Sequence, residues 1–230
     1  MNLAVIPARG GSKRVPRKNV KEFCGRPMIA WSIQAALESR CFERVIVSTD
    51  DKEIAEVAIA FGAEAPFRRP PELSDDMTPT TPVVAHAIEW QKQIGPVEKV
   101  CCVYATAPFV RPEDLRAALE LMTDQTDYVF PATTFDFPVQ RAIRVGKDGR
   151  VSMLQPEHLM TRSQDLEEAY HDAGQFYWGQ ASAWLTDKPI FGGSSRVLKL
   201  PRYRVQDIDT VEDWERAELI FSAVIARSQY

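Results

Sequence analysis

The sequence has only three histidines and four cysteines among its 230 residues. Its longest apolar runs fall far short of the roughly 18–20 residues needed to cross a bilayer. Leu3–Ala8, the first apolar stretch, lacks the charge order and length of a signal peptide. A cytoplasmic chain with no membrane partner is therefore expected. Cys24, Cys41, Cys101 and Cys102 form no CxxC pair and have no histidine at zinc spacing, which favours buried free thiols over a metal or redox role. His86, beside Ile88 and Trp90 on a helical segment, reads as a packed residue, and His158 as an exposed one. Repeats, low-complexity tracts and linkers are also missing, so residues 1–230 read as a single domain. Acidic residues are absent from positions 1–21, where Arg9, Lys13, Arg14, Arg17, Lys18 and Lys21 stand. Overall there are 28 Lys and Arg against 32 Asp and Glu, so the rest of the chain is strongly acidic. That balance argues against a general nucleic-acid binder and for an anion met near the N-terminus.

The apolar pattern alternates short runs with amphipathic stretches. Leu3–Ile6, Val45–Val47, Val100–Tyr104 and Tyr128–Phe130 read as buried strands. Helices are expected from Pro27, after the cap candidates Asp50 and Asp51 as far as Gly62, near Pro82–Ile94, after Pro112 and over Val211–Ile225. Continuous apolar strands between such helices imply an α/β fold with a doubly wound, mostly parallel sheet. After Pro131 the rhythm changes. Ala142–Val145 and Val151–Leu154 flank the turn Gly146–Gly149 and predict a β-hairpin. The insertion, about 132–172, is too long for an idle loop and reads as an active-site arm or an oligomerisation element.

The loop after the first strand, Arg9-Gly-Gly-Ser-Lys-Arg-Val-Pro-Arg-Lys-Asn19, combines two glycines with basic side chains at the carboxyl end of a strand. Glycine freedom lets backbone amides turn toward an anion, and the bases add charge-assisted hydrogen bonds. A phosphate cradle is expected, although the spacing fits neither the Walker loop nor the dinucleotide fingerprint. A solvated basic loop or localisation patch is the alternative. Asp207 and Asp209, one residue apart, share a face if extended, and hard oxygen ligands suit Mg²⁺. Alternatively Asp209 only caps the last helix.

This loop resembles the signature of the nucleotide-sugar cytidylyltransferases that make CMP-sialic acids. The resemblance continues at Val47-Ser-Thr-Asp-Asp51, at Arg69-Pro-Pro-Glu-Leu-Ser74 with Thr80 downstream, and at Asp207-Ile-Asp-Thr210. Four collinear motifs imply a nucleotidyltransferase-like Rossmann-type fold and transfer of a cytidylyl group from CTP to a sugar with release of pyrophosphate. By the same resemblance Arg9, Ser12, Lys13 and Lys18 hold the triphosphate, and Ala8, Gly10 and Asn19 belong to the nucleotide site. Lys18, Arg9 and Asp207 carry the catalysis. Arg69 and Thr80 bracket the cytosine and ribose, with a surface ion pair and a helix cap as their plainer readings. His171 matches no family catalyst, so a metal-bound water or a phosphate oxygen is expected to take the proton.

Two stretches depart from the sialic acid pattern. Cys102-Val-Tyr-Ala-Thr-Ala-Pro108 carries Tyr at position 104 where Gln is usual, and His171-Asp-Ala-Gly-Gln-Phe-Tyr-Trp178 stands in place of an Asn-Gly motif. Both resemble the branch acting on pseudaminic acid, which implies that sugar as acceptor. Tyr104, Thr106, Gln175 and Tyr177 are the sugar-site candidates, with Arg162 of the insertion for the sugar carboxylate. Tyr177 reads equally well as core. The resemblance also implies a homodimer whose arm covers the partner's site. N-acetylneuraminate and legionaminate remain alternative acceptors. A catalytically silent nucleotide-binding protein and an RNA-binding module are the alternatives of another class.

Overall fold

The computed structural model describes residues 1–228, with side chains described through residue 224. The chain runs β1 (Asn2–Pro7), the clip β2 (Glu22–Phe23) and β3 (Arg26–Pro27), α1 (Met28–Ser39), β4 (Arg44–Ser48), α2 (Lys52–Ala60), α3 (Thr80–Lys92), β5 (Lys99–Val103), α4 (Pro112–Glu120) and β6 (Tyr128–Thr134). It continues with the hairpin β7 (Ile143–Val145) and β8 (Val151–Met153), then β9 (Tyr170–Asp172), β10 (Phe176–Gln180), α5 (Ala181–Leu185), β11 (Ser195–Lys199) and α6 (Val211–Ser228).

Seven strands form one sheet in the order β11-β6-β10-β5-β1-β4, with β9 paired to β6. β1 runs parallel to β4 and β5, and β11 parallel to β6. β10 is antiparallel to both β5 and β6, and β9 is antiparallel to β6. Five strands therefore share one direction and two, β9 and β10, oppose it; the expected mostly parallel sheet holds, with β10 wedged between β5 and β6. The reversal is invisible in composition, because Phe176-Tyr177-Trp178 is an apolar run whichever way it points.

Alternate residues of each strand feed two cores. Ala4, Ile6, Val45, Val47, Val103 and Trp178 pack with Ile29 and Ile33 of α1, Ile54 of α2 and Leu115 of α4. Leu3, Val5, Ile46, Val100, Tyr128 and Tyr177 pack with Val84 and Ile88 of α3 and Trp184 of α5. Cys101 and Cys102 are fully buried, one in each core, and no cysteine is bridged, as the sequence indicates. A third cluster joins Val15, Phe23 and Met28 to Ile208, Trp214 and Phe221. It clamps the loop after β1 onto the C-terminal segment.

Three local expectations change. α3 starts at Thr80 rather than near Pro82, with Pro79 before it and no side-chain cap, so Thr80 does not cap the helix. α6 is capped by Thr210, whose Oγ1 accepts from the Asp213 amide while Asp213 Oδ2 accepts from the Thr210 amide. Asp209 is thereby free of capping. Ala132–Thr134 and Tyr170–Asp172 pair within the main sheet, so residues 135–169 are what projects from it. There the β7–β8 hairpin leaves Ile143, Val145 and Val151 exposed.

Candidate active site

The loop leaving β1 is built by local chemistry. Arg17 adopts a left-handed backbone (φ 56°) and its carbonyl accepts from the Val20 and Lys21 amides. Its guanidinium grips Asp51 at 2.6 and 3.0 Å and also pairs with Glu53. These hydrogen bonds hold the Asp51 carboxyl below the usual carboxylate range, and Asp51 in turn caps α2 through the Ile54 amide. Neither Gly10 nor Gly11 has a positive φ. The expected glycine freedom is not used. Gly10 instead permits close approach: its amide donates to Asp50 at 3.0 Å, and a Cβ there would stand 2.7 Å from Asp51 Oδ2. Asn19 Nδ2 closes the loop by donating to the Arg9 carbonyl at 2.9 Å.

Two cavities open at the carboxyl ends of β1 and β5. The first, about 540 Å³, is lined by Arg9, Ser12, Lys13, Arg14, Lys18, Asn19, Arg69, Thr80, Tyr104 and Thr106. Ala8 and Gly10, expected in the nucleotide set, lie behind this wall; Ala8 is buried. Asp76, which sequence reasoning missed, pairs with both Arg9 and Lys13. Arg69 is buried, 3.7 Å from Asp50 and hydrogen-bonded to Ser74, so it is not a surface ion pair.

The second cavity, about 560 Å³, is lined by Lys18, Tyr104, Thr106, His171, Asp172, Gly174, Tyr177, Gln206, Asp207 and Asp209. Lys18, Tyr104, Thr106 and Asp209 belong to both cavities. Lys18 Nζ donates to the Ile208 carbonyl at 2.6 Å and lies 3.4 Å from Asp209, which also pairs with Arg14 at 2.9 Å. The basic loop and the paired acids thus meet. Asp207 and Asp209 flank the buried Ile208 on an irregular segment rather than a sheet strand, yet both carboxylates reach the same cavity. Desolvation and the neighbouring Asp209 charge push the Asp207 carboxyl above its ordinary range. Among the described residues no three His, Cys, Asp or Glu side chains gather as a metal cluster, so this pair would need substrate oxygens to complete a coordination sphere.

The wall between the cavities carries one aromatic ring, Tyr104, which packs on Tyr177 of the second cavity. Tyr104 and Tyr177 rings are 5.4 Å apart, Thr80 Oγ1 lies 3.5 Å from the Tyr104 hydroxyl, and the Tyr177 hydroxyl donates to Asp172. Burial raises the pKa of both phenols and keeps them protonated donors. Gln175 is buried with its Nε2 on the Arg204 carbonyl at 2.6 Å, and it lines neither cavity. It holds the irregular segment that leads to Asp207. Arg162 lies on the projecting segment, paired with Asp165 at 2.7 Å and outside both cavities of its own chain. Of the histidines, His86 packs edge-on against Phe67 at 4.8 Å, His158 is half-buried rather than exposed, and His171 lines the second cavity. Arg17, Asp76 and Asp172 are the residues missed. Arg17 and Asp172 lay inside motifs already singled out, whereas nothing local pointed to Asp76.

The family model described as Cytidylyltransferase matches residues 3–213. The chain belongs to that cytidylyltransferase family. Among curated relatives of this cytidylyltransferase, the pseudaminic acid cytidylyltransferase of Campylobacter jejuni subsp. jejuni is 48% identical over 222 residues, 96% of each chain. The CMP-N,N'-diacetyllegionaminic acid synthase of Legionella pneumophila subsp. pneumophila is 33% identical over 228 residues, 94% of each chain. The solved structure of CMP:2-keto-3-deoxy-manno-octonic acid synthetase complexed with CTP superposes with a TM-score of 0.70 at 18% identity, covering 96% of this chain and 98% of that one. That last likeness is one of fold.

Proposed function

We propose that the enzyme joins CTP to pseudaminic acid, giving CMP-pseudaminic acid and pyrophosphate. The observation that carries this reading is the shared wall. A cationic cavity sized for a nucleotide and a second, aromatic cavity meet at Lys18 and Asp209, where the α-phosphate and the attacking hydroxyl must come together. The greater identity to the pseudaminic acid enzyme than to the legionaminic acid one selects the acceptor.

In this scheme the anomeric hydroxyl oxygen forms a bond to the α-phosphorus, the bond to the β-phosphate oxygen breaks, and the hydroxyl proton is released. Arg9, Ser12 and Lys13 hold phosphate oxygens, while Arg69 and Thr80 face the base and ribose. Lys18, fixed by the Ile208 carbonyl, donates to the α-phosphate as charge grows there. Tyr104, Thr106 and Tyr177 shape the acceptor cavity. Asp207 and Asp209, two hard carboxylates on one cavity, fit Mg²⁺, which when bound supplies positive charge beside the phosphates. A CTP-consuming enzyme works where CTP is made, so we assign it to the cytoplasm.

We further propose a homodimer in which the 135–169 arm, with its exposed apolar hairpin, covers a partner and brings Arg162 to the partner's acceptor cavity. Light scattering should give twice the 26.0 kDa of one chain; a monomer overturns it. The activity is tested with purified protein, CTP, Mg²⁺ and a panel of nonulosonic acids, following pyrophosphate release. Preferred turnover of pseudaminic acid is expected. Equal rates across the panel defeat the acceptor assignment, and binding of CTP without turnover defeats the reaction.

A further inference from the structure

The acceptor cavity is lined by three carboxylates, Asp172, Asp207 and Asp209, against one lysine, Lys18. Asp209 has Lys18 and Arg14, and the Asp207/Asp209 pair suits a divalent cation. Asp172 has neither use. Its backbone is fixed by pairing with Ala132 within β6, and both carboxylate oxygens are held. The Gly174 amide donates to Oδ1 at 3.0 Å and the Tyr177 hydroxyl to Oδ2. Tyr177 is only 4% exposed and lines the same cavity. An ionised carboxylate accepts and never donates, and each Asp172 oxygen keeps lone-pair capacity toward the cavity. Among the described residues it forms no ion pair. A half-buried, preorganised acceptor of this kind is matched by a ligand N–H or O–H and mismatched by a ligand anion.

We propose that Asp172 is a specificity-determining residue that accepts a hydrogen bond from an acylamino N–H of the acceptor sugar and turns the sugar's own carboxylate away, toward Lys18. This rests on the acceptor being a nonulosonic acid, as argued above. An amide N–H suits it because each oxygen holds one internal donor and keeps a lone pair for a second, and an amide N–H can only donate. The geometry fixes which end of the sugar enters first. The carboxylate beside the anomeric carbon goes to the wall shared with the nucleotide, and the acylamino arm goes to Asp172. Position 172 lies within the 171–178 stretch where the sequence departs from the sialic acid pattern, and Tyr104, the other departure, faces Tyr177 across the same wall. A site that hydrogen-bonds one substrate group discriminates strongly against analogues lacking or misplacing it.

The test compares wild type, Asp172→Asn and Tyr177→Phe with CTP, Mg²⁺ and pseudaminic acid or N-acetylneuraminate, following pyrophosphate release. Asn keeps the size but adds a donor facing the substrate N–H. It should raise the KM for pseudaminic acid by about tenfold or more, the scale of a lost charge-assisted hydrogen bond, with KM for CTP unchanged. Tyr177→Phe keeps the carboxylate and loosens it, so the same KM should rise by a smaller factor. Because pseudaminic acid carries a second acylamino N–H that N-acetylneuraminate lacks, its preference over N-acetylneuraminate should narrow in both variants. An unchanged sugar KM in Asp172→Asn, beside an active wild type, overturns the assignment while leaving the reaction intact. So does an equal rise in both KM values with a lowered melting temperature, or a collapse of kcat that removes one limb of the pH profile. Wild type inactive on every nonulosonic acid overturns the assignment together with the reading beneath it.

Discussion

The two cavities are neutralised in different ways. In the nucleotide cavity every prominent cation already has an internal anion: Asp76 on Arg9 and Lys13, and Asp209 on Arg14 and Lys18. Its specificity for a triphosphate is a matter of replacing one set of anions by another. The acceptor cavity instead presents phenols and carboxylates with little opposing charge, so it selects by the direction of hydrogen bonds. Any cytidylyltransferase needs the first kind of site. The second kind is where acceptors can be told apart.

Substitutions on the shared wall should break this division most severely. Lys18→Ala is expected to lower kcat by about 10³-fold while CTP still binds, as when one preorganised donor to transition-state charge is removed. Calorimetric CTP binding beside turnover checks this, and a purely KM effect would return Lys18 to the nucleotide side alone. Asp207→Asn should raise the Mg²⁺ concentration for half-maximal rate by at least about tenfold, since altering a group one layer farther out already costs that much. Titrating rate against Mg²⁺ decides it. Gly10→Ala forces Asp51 from its place on Arg17 and α2, with a loss of about 1–3 kcal/mol typical of overpacking. A melting curve and the KM for CTP should both move, with the KM for sugar constant. The smallest effect belongs to Asp76→Asn. Freed of their internal anion, Arg9 and Lys13 should bind CTP about two- to fivefold more tightly, the range of exposed ion pairs. The gain should fade as salt approaches about 1 M, where screening acts over roughly 3 Å. A weaker CTP complex at low salt would show that Asp76 assists the nucleotide instead of competing with it.

The sequence disclosed the nucleotide side better than the acceptor side, for physical reasons. Phosphate binding concentrates charge in one short loop, so Arg9, Lys13 and Lys18 announced themselves together, and Asp207 with Asp209 stood out as an acid pair. The sheet's parallel body was legible because its strands are apolar on both faces. The direction of β10 was not legible, since a fully buried run has no polarity along the chain. Gln175 illustrates what pattern alone misses. An amide before a buried strand suits a sugar as well as a backbone carbonyl, and only the fold reveals that the Arg204 carbonyl takes it. Asp76 acts on Arg9 and Lys13, more than 60 positions away, so no local spacing marked it, whereas Asp172 lay in a stretch already singled out but its role depends on a turn that only the fold reveals.

The bond from Lys18 to the Ile208 carbonyl spans 190 positions of sequence. During synthesis the basic loop emerges with its cationic side chains ready, 190 residues ahead of the carbonyl that anchors it. A fragment cut ahead of Ile208 would retain the nucleotide loop and lose the clamp that aims its lysine. Charge and aim are thus written far apart: the loop brings the cations, and a carbonyl 190 positions later directs one of them.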